Sequence, residues 1–218
     1  NDKRAREQRR RIEERNRKRS QMKSFGTLDL SSLALDVQAV DRVPISEFKQ
    51  TAIFPENDEL TVNKNRSFEF TGWINSGRWE VRIQEGNYSY EKHGFNIFES
   101  DVALFRAVPQ KKEHGNSPIL IQSAIEGLKG ELIVDTITNR SGLDQNYGNY
   151  PQLISKEKTR VYYDQKEIHR GAYEKDRFYF EIDPFEIDSL VSFNDDFLRF
   201  SGELTSAGIF PTISEELK

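Results

Sequence analysis

The chain carries three histidines, His93, His114 and His169, and no cysteine. No two histidines stand four apart, as a helical zinc site needs. Without cysteine there is no thiolate metal site, no disulfide framework and no thiol nucleophile. Gly-x-Ser-x-Gly is missing, Asn139-Arg140-Ser141-Gly142 reads as a turn, and no glycine-rich phosphate loop follows a strand-like segment. The 36 Asp and Glu side chains could supply a glycosidase-type pair, but that spacing is tertiary and singles out no two of them. Hard oxygen donors cluster twice, in Asp144-Gln145-Asn146-Tyr147-Gly148-Asn149 and in Asn194-Asp195-Asp196. Asp144, Asn146, Asp195 and Asp196 are therefore the candidate ligands for calcium, which takes about six to eight oxygens. The EF-hand order fails, because glycine stands where the third oxygen ligand belongs and the final Glu is missing. Solvated turns are the simpler reading. No catalytic residue and no other cofactor are expected, and the chain is read as not being an enzyme.

Aromatic side chains are the other source of recognition chemistry. Trp73, Trp79, Tyr88, Tyr90, Tyr147 and Tyr150 are the candidate binding residues, with Tyr162 and Tyr163 nearby in type. Exposed Trp beside Tyr forms a stacking platform for carbohydrate or for a partner's backbone. The competing reading is a second buried face, because strands are rich in aromatics in any case.

Charge is distributed unevenly. Residues 1–23 hold eleven Lys/Arg against four Asp/Glu, a net +7, so the remainder is −11 in a chain of −4. Arg9, Arg10, Arg11 and Arg15 are the candidate nucleic-acid contacts of this arm, since cationic side chains supply the salt-dependent part of such binding. Glu7/Arg11 and Glu13/Arg17 stand at helical i,i+4 spacing, yet Ala5, Ile12 and Met22 make no apolar face. Residues 1–24 are thus expected to be a charged helical arm or connector, and nucleic acid is not the expected partner.

The remainder of the chain must position these side chains, and from Gly26 its pattern has period two. Phe68, Phe70, Gly72 and Ile74 share one face; so do Trp79, Val81 and Ile83; so do Phe178, Phe180 and Ile182; so do Leu198, Phe200, Gly202 and Leu204. Trp73 falls on the opposite face, exposed or under another layer. Asn75-Ser76-Gly77, Glu85-Gly86-Asn87, Lys92-His93-Gly94 and Glu126-Gly127 read as tight reversals. The segment 140–151 reads as a division between two sub-units or as a lid. Asp183-Pro184 reads as a cap and first residue of a helical turn in 183–197. Two short units recur: Ala52-Ile53-Phe54-Pro55 returns as Gly208-Ile209-Phe210-Pro211, and Phe70-Thr71-Gly72 through Gly77 returns as Phe200-Ser201-Gly202 through Ser206. The expected fold is all-β, an antiparallel β-sandwich or a short stack of sheets, with 25–218 as the β-rich module.

On Val161-Tyr162-Tyr163-Asp164, Gly171-Ala172-Tyr173, Phe178 through Phe185, and Phe200 through Pro211, the chain resembles very large uncharacterised cell-envelope proteins of Bacteroidota. The likeness spans residues 50–218. It implies a module of a longer protein, in the periplasm or at the cell surface, whose partners are other domains of the same chain, another envelope protein or lipid. A fainter resemblance joins Phe70-x-Gly72-x-Ile74, Leu128-x-Gly130-x-Leu132 and Phe200-x-Gly202-x-Leu204 to the strand-Gly-strand units of AsmA/TamB-like proteins, which implies an apolar groove that handles lipid. No apolar run approaches the roughly 20 residues of a membrane-spanning helix. With Asn at position 1 and no signal-peptide pattern, the sequence reads as a piece of something longer.

Overall fold

The computed structural model describes residues 26–107, 119–121, 124–164, 173–192, 199–209, 211 and 213–217. The arm 1–24 with Arg9, Arg10, Arg11 and Arg15, the histidines His114 and His169, and the pair Asp195 and Asp196 lie outside them. In chain order the strands are β1 (Gly26–Leu28), β2 (Leu35–Gln38), β3 (Val43–Ser46), β4 (Thr51–Pro55), β5 (Glu59–Val62), β6 (Phe68–Ser76), β7 (Trp79–Ser89) and β8 (Gly94–Ala107). Shorter ones follow: β9 (Ile119–Leu120), β10 (Ile125–Glu126), β11 (Gly130–Ile133), β12 (Gln152–Ser155), β13 (Thr159–Tyr162), β14 (Phe178–Ile182), β15 (Phe185–Ile187), β16 (Phe200–Ser206) and β17 (Ile213–Leu217). Among the described residues there is no helix, and so none long and apolar enough to cross a membrane.

The three long strands β6, β7 and β8 form an antiparallel meander, and the sheet forks on either side of it. β4 pairs with the second half of β6, from Thr51↔Ser76 to Pro55↔Gly72, whereas β5 pairs with its start, at Thr61↔Glu69 and Val62↔Phe68. One branch continues to β3; the other continues to β2 and β1. Across the meander, β11 pairs with the start of β8 and leads to β12 and β15. β10 meets β8 at Ala103 and leads to β13, β14, β16 and β17. Register shifts at Phe70/Gly72 and between Arg82 and Gly86 bend the long strands where the branches part. The outcome, among the described residues, is one large antiparallel sheet, consistent with a β-sandwich. Phe185 of β15 and Phe200 of β16 meet edge to face at 4.9 Å, so the two branches touch at that end.

The alternating faces fill the interior. Phe68, Phe70 and Ile74 of β6, Trp79, Val81 and Ile83 of β7, Phe95 and Ile97 of β8, Leu132, Leu153, Phe180, Ile182 and Phe200 belong to one buried cluster. Full burial of such side chains contributes about 1.5–3 kcal/mol each. Two local expectations are corrected. Glu85-Gly86-Asn87 does not reverse the chain but lies inside β7, where Gly86 marks a bulge opposite Ile97 of β8. Pro184 starts no helical turn: Phe185 and Ile187 extend as a strand against β12, where both pack on the core. Pairing and burial outweigh the capping signal, and residues 193–198 lie outside the described set. The segment 140–151 belongs to a long connection between β11 and β12, which are hydrogen-bonded neighbours.

Candidate functional site

A buried polar cluster sits where two tight turns meet the β11–β12 connection. The β7–β8 turn needs a left-handed residue, supplied by His93 with φ 51°. This folds the imidazole inward beneath Tyr88, whose hydroxyl lies 2.9 Å from Nδ1. Tyr88 is itself stacked on Phe68 at 5.0 Å and packed against Phe95 at 5.1 Å. Val134 then donates its N–H to the His93 carbonyl at 3.0 Å, which delivers the next residue, Asp135, into the interior.

Asp135 is fully buried and its carboxylate is surrounded. Oδ1 accepts the Thr136 N–H at 2.7 Å, Oδ2 accepts Asn139 Nδ2 at 2.9 Å, and Lys49 Nζ lies 3.3 Å from Oδ2. Lys49 comes from the β3–β4 turn, is 7% exposed, and donates to the Tyr147 carbonyl at 2.8 Å. Asn139 is held at both ends of its carboxamide: Oδ1 accepts the Asp144 N–H at 3.0 Å and Nδ2 also donates to the Asp144 carbonyl at 2.9 Å. Arg140 donates to the Tyr90 carbonyl at 2.8 Å and lies 4.2 Å from the centre of the Tyr90 ring, which Arg66 also approaches, at 4.9 Å. At the far end of the connection, Ser189 bonds the carbonyls of Gly148 and Asn149, and Leu190 that of Pro151. The long connection is thereby latched to turns far away in sequence.

Burial sets the electrostatics. It pushes the Tyr88 phenol up to about 12, against the pull of the Arg140 charge. It draws the His93 imidazole below its ordinary 6.5, helped by Arg140 and opposed by Asp135. His93 Nε2 is buried without a hydrogen-bond partner among the described residues, so a proton there would be poorly solvated. The unfolded chain binds that proton more readily than the folded one. The stability that neutral His93 contributes is therefore complete above about pH 6.5 and lost as pH falls through the folded value. The urea midpoint is expected to fall between about pH 7 and pH 5, and His93→Gln to flatten that part of the profile. An unchanged slope in the variant would remove His93 from the account.

The expected binding residues divide. Tyr88, Tyr90, Tyr147 and Asp144 converge on this cluster, Tyr147 and Asp144 through their backbones as well as their position in the connection. Trp79 and Tyr88 are corrected from platform to core: Trp79 is 0% exposed and stacked on Phe105 at 5.2 Å, so neither ring can meet a ligand. Trp73 stays on the outer face, half-buried, in register with Phe54 and Arg82. Tyr150 is half-buried before a cis peptide bond to Pro151. Asp144 Oδ1 accepts the Asn146 N–H at 3.0 Å, a local turn, and among the described residues no three His, Asp or Glu side chains gather as metal ligands.

Lys49, Asp135 and Asn139 have no sequence signature. Only the run Leu132, Val134 followed by an acid one step off the alternation hints that Asp135 enters the core edge. A second feature is open to solvent. Tyr162 and Tyr179 face each other across β13 and β14 with ring centres 6.1 Å apart, beneath Lys175 and Arg160 respectively. With Asp176 they line a surface groove of about 350 Å³, at the small end of ligand-sized concavities. No family model matches this chain, and no curated protein or solved structure matches it.

Proposed function

We propose that the chain is a non-enzymatic structural or binding module of a larger bacterial envelope or surface protein. One observation carries the reading: a compact set of chemically capable side chains, Tyr88, His93, Lys49, Asp135 and Asn139, is buried and consumed in holding the β11–β12 connection. An open acid or base facing a cleft is what turnover requires, and several of the exposed charges among the described residues are instead held in ion pairs. Arg82 bridges Glu56 and Asp101, Arg106 meets Glu80, and Lys158 and Arg160 share Glu181. The envelope location rests on the resemblance of residues 50–218. The tyrosine groove of β13 and β14 supports the binding half of the reading.

The lipid-handling alternative places its three glycine units on β6, β16 and the stretch entering β11. Their flanking side chains Phe70, Ile74, Leu128, Leu132 and Phe200 are buried against the rest of the core. That packing favours the scaffold reading over an open trough. A screen of hydrolase and transferase substrates is expected to give no turnover. Turnover abolished by a single Asp or Glu substitution would overturn the proposal, and lipid found by mass spectrometry of natively purified protein would shift it to the alternative.

A further inference from the structure

Asp135 Oδ2 is the meeting point of two nitrogens of different chemistry, a primary amine and a primary carboxamide. Lys49 Nζ lies 3.3 Å from it and Asn139 Nδ2 lies 2.9 Å from it. All three side chains are more than nine-tenths buried. The Asn139 orientation follows from its partners, since a backbone donor meets Oδ1 and two acceptors meet Nδ2. From this arrangement we propose that Lys49 and Asn139 join in an intramolecular isopeptide bond, with Asp135 moving the protons.

The chemistry balances without any added reagent. One proton passes from the Lys49 ammonium to Asp135 Oδ2 across their contact and leaves a neutral amine. Nζ attacks Cγ of Asn139, and the developing oxyanion on Oδ1 is met by the Asp144 N–H already 3.0 Å away. Asp135 hands its proton to Nδ2, the Cγ–Nδ2 bond breaks, and ammonia leaves. Ammonia then takes the surplus proton on Nζ and departs as ammonium. One C–N bond forms, one C–N bond breaks, and no oxidation state changes. Burial keeps water from competing for the carbonyl carbon, and the shared carboxylate holds nucleophile and electrophile in one cluster, which removes most of the entropic barrier to their meeting. The product ties the β3–β4 turn to the β11–β12 connection, a reinforcement that stands whether or not the surrounding module binds a ligand.

The test is the intact mass of the purified full chain under denaturing conditions, followed by tryptic peptide mapping. The expected mass is lower than the sequence mass by one ammonia, with a branched peptide joining the segments that contain Lys49 and Asn139 and no cleavage after Lys49. Asp135→Ala and Lys49→Arg are expected to show the full sequence mass; Lys49→Arg keeps the buried charge and so guards against mere misfolding. A wild-type protein of full mass overturns the proposal. So does a loss of water with a Lys49–Asp135 branch, or a loss of ammonia with Lys49 still cleaved, which marks a backbone succinimide. An Asp135→Ala chain that still carries the branch removes Asp135 from its role.

Discussion

Lys49→Met is expected to have an unfolding free energy about 3–5 kcal/mol below that of Lys49→Arg, which cannot form the cross-link but keeps the charge, because methionine removes one partner of a buried ion pair and strands the other. Asp135 is fully buried and would keep only the Thr136 N–H and the Asn139 carboxamide as donors. The Tyr147 carbonyl would lose its donor as well. Arg42–Glu47 is the internal control: its contact is as short, 3.2 Å, but its side chains are 45% and 68% exposed, so Arg42→Ala should cost less than about 1 kcal/mol. Two further variants divide the effect. Lys49→Met combined with Asp135→Leu removes both charges and should recover part of the loss. Lys49→Arg keeps the charge but cannot form an amide bond, so its deficit relative to wild type reports the cross-link, which closes a loop of about 90 residues and contributes about 4–5 kcal/mol in the chain-entropy model. Denaturant unfolding followed by the tryptophan emission of Trp73 and buried Trp79 measures all four. Equal midpoints for Lys49→Met and Arg42→Ala would show that the pair is not sealed from water.

What could be read from the sequence was local, and what could not was the relation between distant segments. Phe68, Phe70 and Ile74 alternate with Glu69, Thr71 and Trp73, and they are buried as that alternation requires. Asn75-Ser76-Gly77 marks a true hairpin, since Ser76 pairs with Trp79 and Gly77 takes φ 57°. Gly86 misleads because glycine serves a bulge as readily as a turn, and only the partner strand β8 decides which. Asp183-Pro184 misleads because a helix start can be read locally while the pairing of Phe185 and Ile187 with β12 cannot. Trp79 suits a platform by residue type and the core by alternation, and its fully buried ring settles the matter for the alternation. The latch was out of reach for the same reason as the forks in the sheet. Lys49, His93 and Asp135 belong to three separate connections that meet only once β4, β8 and β11 have been brought together around the meander. Nothing in Glu47-Phe48-Lys49-Gln50 distinguishes a buried lysine from the solvated lysine of an ordinary turn.

The recurring glycines lead to the second large effect. Gly72 of β6 and Gly202 of β16 occupy equivalent places in the repeated unit, between inward-facing Phe70 and Ile74 and between Phe200 and Leu204. A Cβ on Gly202 would overlap the Glu181 carbonyl oxygen of the neighbouring strand β14 and stand 2.7 Å from Cε1 of Phe180. A Cβ on Gly72 would overlap the Phe54 carbonyl oxygen of β4, and its φ of +146° is one that side-chain-bearing residues rarely adopt. Gly130 meets the Ile154 carbonyl oxygen in the same way, so all three units use glycine to let two backbones approach closely. Because the obstacle is backbone within a paired ladder, it cannot swing aside as a flexible side chain could. Gly72→Ala, burdened by both overlap and φ, is expected to cost about 3 kcal/mol or more, and Gly202→Ala about 1–3 kcal/mol. Gly148→Ala, where nothing lies within 4 Å of the added atom, should stay within about 0.5 kcal/mol of wild type. Thermal and denaturant midpoints for the three variants decide the matter. A Gly72→Ala protein as stable as Gly148→Ala would mean that the fork between β4 and β5 is not built on close contact at Gly72, and the shared role assigned to the repeated unit would go with it.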